Sequence, residues 1–181
     1  MLKIGITGNI ASGKSEVEKI ISSLGFLVVD LDIVSHNLLE NNKELKSAIF
    51  KEFQTLDRKK IANIVFNNKE KLEKLNNIFH PILKKYILNL FNEAASTVFV
   101  SGALIYEAGF NNLFDKMIFV DSAYETRLER LMKRNNLTVE EAKIRLEKQN
   151  TKFKNEADFI VENDGDIEEL KEKIQKILEV L

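Results

Sequence analysis

The octapeptide Gly8-Asn9-Ile10-Ala11-Ser12-Gly13-Lys14-Ser15 matches G-x-x-x-x-G-K-[ST] and restricts the possible folds of this chain more than any other segment. An apolar run, Lys3 to Thr7, precedes it, and Val17, Ile20, Ile21 and Leu24 follow at helical spacing. Strand, glycine-containing loop and helix in that order make a phosphate-binding loop. Gly8 and Gly13 allow backbone shapes that aim N–H groups inward, with Ala11 and Ser12 between them, and the helix N-terminus adds its dipole. Lys14 supplies a mobile cation toward the β and γ phosphates of ATP, and the Ser15 hydroxyl suits Mg²⁺. Glu16 is unexpected, because it sets a carboxylate next to polyphosphate unless it points away as a first-turn acid favoured by the dipole.

Gly25 closes the first helix where a C′ glycine belongs, and Phe26 to Asp30 reads as a second buried strand. Thr97 to Ser101, Met117 to Val120 and Phe159 to Val161 repeat that texture. Five short apolar strands separated by helices predict an α/β fold, a three-layer α/β/α phosphate-loop architecture with a five-stranded parallel sheet. Helix starts are written at Ser122…Glu125, Thr138…Glu141 and Asp166…Glu169 as capping boxes. Roughly 65 residues, 33–96, separate the second and third strands, more than one crossover helix needs, so a helical insertion is expected there. Its Pro81 is expected to open a helix over Ile82 to Phe91.

At 181 residues the chain fits one domain, and 44% hydrophobic with 30% charged residues fills a core. A net charge of −1 provides no global field for nucleic acid or an anionic membrane, so neither partner is expected. The absence of cysteine excludes disulfides, thiolate zinc sites and cysteine nucleophiles. The opening residues lack the apolar run of a signal peptide, and a soluble, cytoplasmic protein is expected.

A GTPase would carry N-K-x-D and D-x-x-G, and neither pattern occurs. Small kinases that move a γ-phosphoryl group to a bound acceptor remain. Asp30-Leu31-Asp32 follows the second strand, and ligands in open parallel sheets bind beyond the strands' carboxyl ends. Asp32 is therefore a candidate either to take the acceptor's proton or to order Mg²⁺ through water, with a helix N-cap as the structural alternative; Asp30 is the better cap candidate. Arg127, Arg130 and Arg134 are spaced to share one side of a helix, and Arg145 follows. Only five arginines occur in the chain, so four within 19 positions form a local concentration suited to charge on transferring phosphoryl oxygens. A mobile hairpin carrying them would close over ATP, with Arg134 and Arg145 as catalytic candidates beside Lys14.

Together these pieces resemble the dephospho-CoA kinase family, relatives of the nucleoside monophosphate kinases. The likeness runs through Gly5-Ile6-Thr7-Gly8, the loop ending Ser12 to Ser15, Asp30-Leu31-Asp32, Phe79-His80-Pro81 and Leu104-Ile105-Tyr106-Glu107. It continues through Thr126 to Arg134, Arg145 with Gln149, and Ala157 to Gly165. The resemblance implies ATP-dependent phosphorylation of the ribose 3′-hydroxyl of dephospho-CoA, the last step of CoA synthesis. It also implies a nucleotide core (about 1–31, 92–133 and 157–181), a helical acceptor-binding insertion (about 32–91) and a lid (about 134–156). Asp32 falls on the family's base, Lys14 and Ser15 on its phosphate and Mg²⁺ ligands, His80 and Glu107 near the acceptor, and Asn163 and Gly165 near adenine. His80 as a core or capping histidine, Glu107 as a lysine partner and Asn163-Asp164-Gly165 as a plain turn are the structural alternatives.

The chain departs from the family at Glu16, where Thr is usual, at Ala11, where Gly is common, and at Ser101 and Ala103, where Asp and Pro are frequent. The segment from Gln149 to Asp158 looks about two residues short. A nucleotide or nucleoside kinase and a non-catalytic nucleotide-binding regulator are the competing expectations. Oligomeric state is not legible.

Overall fold

The computed structural model describes residues 1–66, 68–149 and 152–181. In chain order the elements are β1 (Lys3–Gly8), α1 (Lys14–Ser23), β2 (Leu27–Asp30), α2 (Leu31–Asn41), α3 (Lys43–Phe53), α4 (Arg58–Phe66) and α5 (Lys69–Glu93). Then follow β3 (Val98–Ser101), β4 (Lys116–Asp121), α6 (Tyr124–Asn135), α7 (Val139–Glu147), β5 (Phe159–Glu162) and α8 (Ile167–Val180). The chain divides into two compact units, 1–29 with 94–181, and 30–93.

In the first unit the strands form a five-stranded parallel sheet in the order β2-β3-β1-β4-β5, flanked by helices. Strands covered on both faces need apolar side chains pointing each way, which is why these segments read as continuous apolar runs. Ile4, Ile6, Phe99, Ile118, Val120 and Val161 are all buried, and Val17 and Ile21 of α1 with Leu170 and Ile174 of α8 complete that core. Burying each such aliphatic side chain contributes about 1.5–3 kcal/mol. Phe26 meets Phe99 edge to face at 5.4 Å between ring centroids.

The register sets Ile6 opposite Ser101, Gly8 opposite Val120 and Asp121 opposite Glu162. Parallel strands in this register bring Gly8, Ser101, Asp121 and Glu162 to one end of the sheet. β1 leaves the sheet there between β3 and β4, at the point where the strand order reverses.

Two helix starts differ from the sequence expectation. α6 begins after Ala123 without a side-chain cap, because the Ser122 hydroxyl donates to Asp164 instead. Pro81 does not open a helix; it lies inside the 25-residue α5. Its missing N–H forfeits the bond to the Asn77 carbonyl, a penalty of about 3 kcal/mol. Leu75, Ile78 and Phe79 before it and Ile82 after it pack against one core of Leu39, Leu45, Ile49, Phe53 and Ile61, and that continuous face carries the helix through. Thr138 and Glu141 do form the expected capping box, and Asp166 accepts from the N–H groups of Glu168 and Glu169.

Candidate active site

A Cβ at Gly8 would meet the Val120 carbonyl and the Ser12 hydroxyl, so only glycine lets the chain leave β1 this close to β4. Gly13 precedes α1 with φ 91°, a left-handed conformation, and its α-carbon faces the Asn163 amide. Ala11 is also left-handed, φ 61°, which costs an L-residue on the order of 1 kcal/mol. Ile10 and Ala11 pack against Leu131, Ala142 and Leu146 of the α6–α7 hairpin, and that apolar contact offsets the strain glycine would avoid.

The first half of the loop is held by the protein. The Asn9 N–H donates to the Val120 carbonyl (3.2 Å), and the Asn9 amide donates to Asp121 Oδ1 (2.6 Å). The Ile10 N–H donates to Gln149 Oε1 (2.7 Å). The Ser12 carbonyl accepts from Asn163 Nδ2 (2.8 Å) and Arg130 Nη1 (3.3 Å), while Arg130 Nη2 donates to the Asn163 carbonyl (3.0 Å). Ser12 is buried behind the loop, and its hydroxyl has no hydrogen-bond partner among the described residues. The second half runs into α1, whose first N–H groups have no intrahelical acceptor by construction.

Lys14 donates to Glu18 Oε1 (2.6 Å) and to the Ser101 hydroxyl (2.7 Å), and that hydroxyl donates to the same carboxylate oxygen (2.5 Å). Glu18 was not singled out from sequence; its position one turn after Lys14 is the signal that could have found it.

A cavity of about 560 Å³ opens beside the loop. Ala11, Gly13, Ser15 and Glu16 line it from the loop and α1, Arg134 from α6, and Asn163 and Gly165 from the turn after β5. Glu16 pairs along the helix with Lys19 at 2.7 Å. Lys133, Asp166, Ile167 and Leu170 line the same cavity and were missed from sequence. Ile167 and Leu170 read as core positions of an amphipathic helix, yet Ile167 is half exposed.

The arginines divide by environment. Arg127 is buried, its Nε donating to the Ser122 carbonyl (3.0 Å) and its guanidinium lying over Tyr124. Arg130 braces the loop. Arg134 is exposed at the cavity, and Arg145 is exposed on α7 outside it.

Asp121 is the hub beneath the loop, accepting from Asn9, from the Ser122 N–H (2.8 Å) and from Lys154 (2.7 Å). Burial alone would raise its pKa, but these three donors outweigh burial and lower it. Asp164 is likewise lowered, chiefly by the Ser122 hydroxyl. Tyr106 stacks on Phe153 at 4.7 Å, and burial pushes its phenol up. Burial also raises the neighbouring Glu107, although that residue keeps an exposed surface on the turn after β3.

In the 30–93 unit, Asp30 caps α2 by accepting from the Asp32 N–H (2.7 Å), and Asp32 sits exposed in the first turn. His80 is half-buried on α5, and burial lowers its pKa. This unit has its own cavity of about 430 Å³, lined by Val34, Asn37, Leu38, Asn41, Asn42 and Tyr86. No group of three His, Asp or Glu side chains gathers to hold a metal among the described residues.

With this geometry in view, residues 2–169 match the family described as CoaE, dephospho-CoA kinase. A dephospho-CoA kinase of Listeria innocua is 37% identical over 191 aligned positions, covering 97% of this chain and 95% of that one. Among solved structures, TT1252 from Thermus thermophilus superposes with a TM-score of 0.85 at 31% identity, covering 99% of this chain and 97% of that chain. A dephospho-CoA kinase from Campylobacter jejuni gives a TM-score of 0.69 at 34% identity, with 98% and 95% covered.

Proposed function

The chain belongs to the dephospho-CoA kinase family, and from that premise we propose that it transfers the γ-phosphoryl group of ATP to the ribose 3′-hydroxyl of dephospho-CoA. The products are CoA and ADP, and the reaction closes CoA biosynthesis. The observation that carries the reading is the cavity beside the phosphate loop, faced by Ser15 and the α1 N-terminus, by Arg134, and by Asn163 and Gly165. An anionic tail at the loop with a base toward the turn after β5 fits those walls.

In this reading the γ-phosphorus–oxygen bond to the β-phosphate breaks as the 3′-oxygen attacks in line, and Asp32 takes the hydroxyl proton. Lys14 exchanges Glu18 for β/γ oxygens, and Arg134 and Arg145 of the α6–α7 hairpin, acting as a lid over 134–156, stabilise charge spread over the transferring group. The exposed Ser15 hydroxyl fits a cation that arrives on the nucleotide and keeps most of its waters, which needs no cage of carboxylates. Bound there, Mg²⁺ neutralises negative charge on the β and γ oxygens. Ala11, Ser12, Gly13 and Glu16 contact the triphosphate side, and Asn163 and Gly165 the adenine. His80 and Glu107 orient the acceptor, bound by the 30–93 unit.

We place the protein's site of action in the cytoplasm, with which the cysteine-free composition is compatible; no helix among the described residues is long and apolar enough to cross a membrane.

The test is ADP release by the purified protein with Mg·ATP and, separately, dephospho-CoA, adenosine, AMP and CMP, with mass spectrometry of the products. Dephospho-CoA alone should yield a product about 80 Da heavier, the mass of one phosphoryl group. A phosphorylated nucleotide would move the acceptor, and ATP binding without acceptor-dependent turnover would make the protein a regulator.

A further inference from the structure

Gln149 stands two residues beyond α7, its N–H still bonded to the Leu146 carbonyl (3.3 Å). Its half-buried side chain crosses to the other end of the sequence. Oε1 accepts from the Ile10 N–H (2.7 Å), and Nε2 donates to the Gly8 carbonyl (3.3 Å). The reverse amide orientation would oppose donor to donor and carbonyl to carbonyl, so the pairing fixes it.

The amide thus caps two backbone groups that β1 can no longer pair, and does so without adding charge beside a polyphosphate. Two further features make this link more than a surface contact. Ile10 and Ala11 pack into the Leu131, Ala142, Leu146 core, so the apolar side of the loop belongs to the same hairpin that carries Gln149. Just beyond, Lys154 pairs with Asp121, which in turn holds the Asn9 amide. The loop is gripped from its backbone edge by Gln149 and from its Asn9 side chain by the Lys154–Asp121 pair.

We propose that Gln149 is a positioning residue for ATP: through its amide it sets the Gly8–Ile10 half of the phosphate loop, and so ties the shape that receives the triphosphate to the seat of α7. The inference rests on the reading that the loop binds ATP. It also divides the loop's labour, since the Ile10 N–H is spent on Gln149 and the Ser12 N–H on the Asn9 carbonyl (3.1 Å), which leaves phosphate to the loop's other N–H groups.

The experiment is ATP binding at equilibrium by the full-length native protein, Gln149→Met and Gln149→Glu, with steady-state kinetics alongside. Methionine keeps length and loses both hydrogen bonds, so the Kd for ATP should rise about tenfold, with kcat at saturating ATP near native. Glutamate gives a signature that a merely structural role would not. Ionised, it cannot donate to Gly8; protonated, it is the amide's isostere. The ATP affinity of Gln149→Glu relative to native should therefore recover as pH falls from about 7 to about 4, through the ordinary glutamate pKa of about 4.3. Native ATP affinity in Gln149→Met, or a pH-independent ratio for Gln149→Glu, overturns the proposal even if dephospho-CoA is phosphorylated. Native protein that binds ATP but leaves dephospho-CoA untouched overturns the function above while the Gln149 comparison stands. Native protein that binds no ATP overturns both.

Discussion

Lys14 and Glu18 lie one helical turn apart on α1 and form an ion pair at 2.6 Å, with side chains only 15% and 14% exposed. A lysine at a helix N-terminus opposes the dipole, and Lys followed by Glu is the poorer order for such a pair, so helix stability does not explain it. The pair instead occupies the cation that the proposed function assigns to the phosphates. Glu18→Gln should lower stability by about 1 kcal/mol, or roughly 2–4 °C in Tm, while lowering the ATP KM severalfold, because Lys14 leaves an amide more readily than a carboxylate. Thermal unfolding and ATP titration read both effects. A raised ATP KM would mean that Glu18 supports Lys14 rather than competing for it.

Lys14→Ala separates chemistry from folding. It should cut kcat/KM by at least about 10³-fold, the scale of losing a preorganised charge at a transferring group. It also leaves the Glu18 carboxylate with the Ser101 hydroxyl in place of its cation, which costs about 1–3 kcal/mol. The double variant Lys14→Ala, Glu18→Ala should regain most of that stability and none of the activity, since contacting residues are not additive. Equal stability of single and double variants would show the pair to be energetically idle.

Asp30 caps α2, and the proposed mechanism gives Asp32, two residues on, a different duty as base. Asp30→Ala removes a helix cap and should cost about 1 kcal/mol with little loss of turnover. Asp32→Asn keeps the shape of an exposed first-turn residue and should lower kcat about 10²–10⁴-fold with ATP affinity unchanged. Fully active Asp32→Asn enzyme would remove Asp32 from the role of base.

What the sequence made legible was local. The phosphate loop, the five strands and the Thr138 and Asp166 caps each depend on residues within a few positions, and their periodicity or spacing announces them. Gln149, Asp121 and Lys154 depend on bonds to residues more than thirty positions away, and nothing in a single sequence marks such partners. Ser122 shows the same limit, since its capping-box spacing was intact but a distant carboxylate claimed its hydroxyl. Pro81 failed for a different reason: local propensity pointed to a helix start, and a shared apolar face on both sides outweighed it.

Glu107 offers a test through pH. Burial raises its pKa above the ordinary 4.5, so the folded state holds the proton more tightly than the unfolded chain. The contribution of such a group to stability is fully present below the unfolded pKa and is lost as pH rises through the folded one. At pH near 7 the native protein therefore carries a disfavoured carboxylate, and Glu107→Gln, which stays neutral, should be the more stable of the two. That advantage should shrink as pH falls toward 4, where both side chains are uncharged. Denaturant unfolding of the two proteins across this range measures it, and a stability difference flat with pH would show that Glu107 is ordinarily solvated. If Glu107 also orients the acceptor, the stabilised variant should need more dephospho-CoA to reach half its maximal rate with no change in ATP KM. A site residue held at a cost to the fold would then be visible as opposite signs in two measurements on one substitution.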